Sequence, residues 1–207
     1  MLAPSVYHGP RTRRAIALTF DDGPSPATPR LLEILDKYGA RATFFECGVN
    51  VRRLPDIARA VVQAGHEIGN HTDTHPLLSL QSGDVILREM SRAQQSILDA
   101  TGATATLFRA PYGVRWFGMR SAQRQLGLMG VMWTAIGIDW KLDGNAVSER
   151  LFRAARNGAI FCLHDGRETS TAPDVTSTIK AVHTLVPLLL DQGFRLETVS
   201  QLLCPTI

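Results

Sequence analysis

The sequence predicts an α/β protein built on a parallel sheet. Three observations predict it. Short apolar runs alternate with amphipathic stretches about seven times along the 207 residues. Several of those runs are nearly continuous in Ile, Val, Phe and Leu, as strands covered on both faces are. Unusual polar residues recur just past the carboxyl ends of the runs.

The strand-like runs are residues 15–20, 42–47, 67–70, 106–109, 131–136, 159–164 and 194–199. Helix-like stretches lie between them. Residues 28–38 put Leu31, Leu32, Ile34 and Leu35 on one stripe and stop at Gly39; residues 55–64 do the same with Ile57, Ala58, Val61 and Val62 and stop at Gly65. Residues 82–100, 116–126 and 146–156 close at Gly102, Gly127 and Gly158. The last stretch, 175–192, contains Pro187, where a kink or break is expected.

Periodicity alone suits an open doubly wound sheet or a barrel. The placement of polar residues favours the barrel. Asp21 and Asp22 follow the first run, and His71 and His75 the third. Arg109 and Tyr112 close the fourth, Asp139 follows the fifth, and His164 and Asp165 close the sixth. In a parallel barrel such strand ends converge on one rim. An open sheet gathers ligands near one switch point and explains five contributing strands less well.

Composition sets the remaining bounds. Hydrophobic residues make up 44% and charged residues 20%, ordinary for a globular domain with one core. The formal charge of +3 is mild and the basic residues are scattered, so no nucleic-acid partner is expected. No stretch approaches the roughly 20 apolar residues of a membrane span. Residues 1–14 are polar, without the apolar core of a signal peptide, and read as an N-terminal extension to one domain at 15–203. The three cysteines, Cys47, Cys162 and Cys204, match no zinc or redox spacing. Cys47 and Cys162 lie in apolar runs and are expected to pack as small hydrophobes.

Five elements carry chemistry. In Thr19-Phe20-Asp21-Asp22-Gly23-Pro24, adjacent carboxylates at a strand end point in different directions and can hold different jobs; alone, the segment also reads as a polar turn. His71 and His75, four apart, face the same way on a helical turn and offer a metal two imidazoles. Pro76 restricts that helix to a single turn. Two His and one Asp leave open positions on a divalent ion, zinc first, which favours a catalytic over a structural site. Arg109, in Arg109-Ala110-Pro111-Tyr112, can keep a carboxylate ionised and oriented. A carboxylate beside His164 would raise its pKa and suit it to general-acid work; Asp139-Trp140 is the fifth element. His8, His66 and His183 have no such partners and read as structural or exposed.

Together these elements resemble the polysaccharide deacetylases of carbohydrate esterase family 4, over residues 14–203. The resemblance implies a distorted seven-stranded (β/α) barrel and a metal-dependent hydrolase that removes N-acetyl groups from N-acetylglucosamine units of peptidoglycan or chitin-like oligomers. It implies Asp22, His71 and His75 as ligands of one divalent metal, zinc before cobalt or nickel. Asp21 is then the general base and Arg109 the partner that holds it. The backbone N–H of Tyr112, after Pro111, is an oxyanion donor. His164 is the acid, tuned by Asp139, and Trp140 and Cys162 wall the acetyl pocket. Two departures stand beside the acid: Ile136 where many relatives carry Asp, and Cys162 where Leu is usual. A monomer is expected, and the resemblance, though not the sequence itself, suggests a secreted or cell-envelope location. O-acetyl removal from xylan, deacylation of a lipid-linked sugar, and a non-catalytic sugar-binding protein are the alternatives.

Overall fold

A computed structural model describes residues 4–204. Its organising strand is β2 (Ala15–Gly23), nine residues long and buried throughout. The strand separates its two faces by size. Ile16, Leu18 and Phe20 pack outward against helices, in one large core cluster with Phe44, Phe161 and Leu163. Ala15 and Ala17 point the other way, into a cluster with Phe45, Leu107, Val131 and Ile160. This is the two-residue period of a pleated strand. Small side chains on the inner face let the sheet curl tightly about it.

All strand pairs are parallel. The remaining strands are β1 (Ser5–Val6), β3 (Ala42–Glu46), β4 (Glu67–Asn70), β5 (Leu107–Phe108), β6 (Met129–Val131), β7 (Ala135–Ile136), β8 (Ala159–His164) and β9 (Arg195–Leu196). Along the sheet they run β1-β6-β5-β4-β3-β2-β8-β7, with β9 paired to the first residues of β2. Among the described residues eight α-helices cover the strands: α1 (Thr28–Lys37), α2 (Gly48–Arg53), α3 (Pro55–Gln63), α4 (Gly83–Thr101), α5 (Met119–Leu126), α6 (Gly144–Arg153), α7 (Thr176–Asp191) and α8 (Val199–Leu203).

The sheet is therefore curled into a half-barrel of nine strands among the described residues, eight of them on the main path, and not into seven. Two features account for the difference. Ser5 and Val6, within the stretch read as an extension, pair with Gly130 and Val131 as β1; residues 1–3 of that stretch lie outside the described residues. The apolar run 131–136 is not one strand. Met132 N–H still bonds Val6 O on the β1 side, and Thr134 N–H already bonds Ile160 O of β8. The chain crosses at Trp133 from one end of the sheet to the other. Four Cα steps separate Val131 from Ala135, so this seam spans at most about 14 Å.

Two further expectations are corrected. α7 runs through Pro187 without interruption. Leu185, Val186 and Leu189, before and after it, are all fully buried and hold the helix in line. Residues 71–75 form no helical turn. Thr72 and His75 both take positive φ, 69° and 59°, so the segment is a bend. α2 pins it, because Gly48 N–H and Val49 N–H bond Thr72 O and Asp73 O.

Candidate active site

The inner face of β2 continues past Ala15 and Ala17 to Thr19 and Asp21. The inner face of β8 continues past Ile160 to Cys162 and His164. The strands are in register, Thr19 opposite Cys162 and Asp21 opposite His164. Strand parity alone thus puts Asp21, Cys162 and His164 in the mouth of the half-barrel, where they line one cavity of about 580 Å³.

Asp22 reaches the same cavity by another route. Its neighbour already uses the inner face, so Asp22 needs a twist of the chain. It takes φ 74°, at a register shift between β2 and β3. The turn brings its Oδ1 to 3.1 Å from His75 Nε2 and 3.4 Å from His71 Nε2. Its Oδ2 accepts from Glu168 N–H at 2.8 Å. His71 Nδ1–H donates to Arg109 O at 2.7 Å. That bond fixes the tautomer and leaves Nε2 as an acceptor. An acceptor nitrogen therefore faces an acceptor oxygen, and buried Asp22 Oδ1 has no hydrogen-bond donor among the described residues. A cation resolves this. Tetrahedral zinc with bonds of about 2.0–2.1 Å separates its N and O ligands by about 3.3 Å, and 3.1 and 3.4 Å bracket that value.

Asp21 is held from the opposite side. Arg109, fully buried, donates from Nη1 to Asp21 Oδ1 at 2.7 Å and to Thr19 Oγ1 at 2.5 Å. Its remaining donors reach Val131 O and Met132 O, and its plane lies 4.2 Å over the Phe45 ring. A buried guanidinium is tolerated because each face and edge finds a partner. With Oδ1 engaged, Asp21 Oδ2 is the free oxygen, 3.5 Å from the Cys162 thiol, which donates to it. Burial pushes that thiol well up, so with no ion beside it Cys162 stays protonated.

His164 Nδ1–H donates to Asp139 Oδ1 at 2.8 Å, and His164 N–H to Asp139 Oδ2 at 2.9 Å. Thr178 Oγ1–H also donates to Asp139 Oδ2. Burial lowers the His164 pKa, but Asp139, Asp21 and Asp22 outweigh it and raise the imidazole above its ordinary value. Asp139 is displaced downward by the same pair, against the raising effect of its burial. Trp140 stands edge-on to the His164 ring at 5.1 Å, on the cavity wall with Ile136.

The sequence-predicted residues do not all meet at the cavity. Arg109 and Asp139 act from behind it, and Pro111 is buried in the turn before Tyr112 without lining it. Tyr112 has φ 59°, its ring stands edge-on to His75 at 4.7 Å, and its hydroxyl donates to Glu168 Oε1 at 2.9 Å. Sequence reasoning missed Glu168, which both steadies Asp22 through its N–H and caps the cavity mouth. A backbone donor is indifferent to residue type, so no motif marks it. His66 is structural: it is buried and accepts from Ala42 N–H at 3.2 Å, and burial drives its pKa to about 4.

A family model described as polysaccharide deacetylase matches residues 8–131. The chain is 36% identical over 198 residues to a chitooligosaccharide deacetylase of Bradyrhizobium sp. (strain ANU 289), covering 91% of this chain and 90% of that protein. It is 31% identical over 194 residues to the peptidoglycan-N-acetylglucosamine deacetylase PgdA of Listeria monocytogenes serotype 1/2a (strain 10403S). That match covers 93% of this chain and 39% of the longer protein. Among solved structures, a CE4-family pseudoenzyme from Bacillus anthracis superimposes with a TM-score of 0.89 at 28% identity, covering 99% of this chain and 72% of that one.

Proposed function

Because the chain belongs to the polysaccharide deacetylase family, we propose that it is a metal-dependent hydrolase removing N-acetyl groups from N-acetylglucosamine units of peptidoglycan or a chitin-like oligomer. One observation carries this reading. The Asp22, His71 and His75 ligand atoms converge within 4.8 Å of one another, in the cavity that also holds Asp21 and His164 as register partners.

A divalent ion held by Asp22, His71 and His75, zinc before cobalt or nickel, supplies Lewis acidity to the acetyl carbonyl and to the attacking water. The chain's residues do the rest. Asp21 Oδ2 accepts the proton of the water, because Oδ1 is committed to Arg109. The left-handed turn at Tyr112 supports its backbone N–H as a donor to the developing oxyanion. His164 has Nδ1 committed to Asp139, so Nε2 delivers a proton to the leaving amine. Its raised pKa keeps that proton available near neutrality. Trp140, Ile136 and Cys162 shelter the acetyl methyl. A monomer suffices, since one chain supplies every group.

The likeness to a pseudoenzyme favours a second reading, a sugar-binding protein without turnover. Retention of two proton-transfer groups and three metal ligands speaks for catalysis. The test is acetate release from N-acetylglucosamine oligomers, peptidoglycan and acetylated xylan, with and without chelator, then with zinc, cobalt and nickel restored. Chelator-sensitive release from the first two is expected. Release from xylan alone would make the protein an O-acetyl esterase, and no release from any would leave the binding reading.

A further inference from the structure

We propose that Asp21, Cys162 and His164 form a second metal site, for zinc or an ion of similar softness, and that filling it shuts the enzyme off. The proposal rests on the hydrolase reading above, since it assigns an inhibitory ion to the groups that move protons there.

One ligand atom from each of the three residues lies within 4.8 Å of the others. Asp21 Oδ2 and Cys162 Sγ are 3.5 Å apart. Tetrahedral zinc, with bonds of about 2.3 Å to sulfur and 2.0–2.2 Å to oxygen, separates those two ligands by about 3.5 Å. The other donors of the set are already used: Asp21 Oδ1 by Arg109 and His164 Nδ1 by Asp139. Those second contacts orient a carboxylate and an imidazole as they do around catalytic zinc. All three residues sit on adjacent, in-register strands, so closing on an ion needs only side-chain adjustment, and all three line the cavity, so an ion has an entry path.

The donor set selects the ion. A carboxylate, an imidazole and a sulfur suit zinc or cobalt, whereas magnesium and calcium do not recruit sulfur. On binding, a metal–sulfur bond forms, the S–H bond breaks and its proton leaves to solvent; His164 likewise yields any proton on Nε2. The first site shares no residue with the second. One equivalent of zinc therefore activates, and a second occupies the base and the acid together.

The test is a metal titration of the full chain by equilibrium dialysis, with activity followed in parallel. Wild type is expected to take up two zinc ions, with the second costing about 100-fold in turnover, the scale of lost acid–base catalysis. With cobalt, a thiolate charge-transfer absorption in the near ultraviolet should appear with the second equivalent and not the first. It should persist in Cys204→Ser and His71→Ala and vanish in Cys162→Ala and Cys162→Ser. Uptake of one ion only, or a second ion without that absorption in folded wild type, would overturn the proposal. Failure of the first equivalent to require His71 would instead overturn the hydrolase reading.

Discussion

Asp21 and Asp22 are adjacent, and the structure gives them opposite partners. Asp21 lies on the inner face of its strand with one oxygen bound to Arg109; Asp22 turns through a positive φ toward two imidazoles. Asp21→Asn should keep one metal ion per chain and lose about 10²–10⁴-fold in turnover, read by metal analysis beside initial rates. Near-normal rates would remove it as base. His164→Ala should slow an N-acetyl substrate far more than an activated acetate ester, because the ester's leaving group departs unprotonated. Equal losses on both would remove His164 as acid. Both residues were legible in the sequence because each ends a long apolar run, so its parity, and hence its face, could be read. Glu168 was not legible, since what it gives Asp22 is a main-chain N–H.

Elements deliver these side chains only where the backbone lets them meet. Gly166, just after β8, leaves no room for a side chain: a Cβ there would lie 2.2 Å from Asp22 O. Gly166→Ala should therefore push Asp22 off its ligand position and weaken metal affinity about tenfold or more, measured by competition with a chromogenic chelator. Unchanged affinity would mean that Asp22 is not positioned by this contact. Strand β8 coincides with its predicted run because continuous apolar sequence leaves few alternatives. β1, β7 and β9 have two residues each, too short to show a period. The His71–His75 spacing misled for a different reason. A four-residue separation brings two rings together on a helix, but Thr72 and His75 at positive φ achieve it in a loop, with ring centroids 5.0 Å apart.

The whole molecule carries a cost that its mechanism does not use. Glu46 and Asp165 are fully buried on the helix side of the sheet, flanking Gly23. Neither Glu46 oxygen accepts a hydrogen bond among the described residues. Burial, with Asp22 and Asp21 adding to it, pushes Asp165 up to about 7, and burial and then Asp165 push Glu46 well above the usual range. Folded-state values above the unfolded ones mean stability that is full below about pH 4 and lost as pH rises through about 7. Unfolding stability should fall between pH 5 and pH 8 by on the order of a few kcal/mol, read by denaturant titration at each pH. Glu46→Gln should flatten that fall; an identical pH profile would show that the buried acids are not its source.

The seam at Trp133 has a consequence of its own. Arg109 grips carbonyls at the seam with two of its nitrogens and the base with a third. The guanidinium therefore works as a latch: whatever opens the sheet at Trp133 also releases the side chain that aims Asp21.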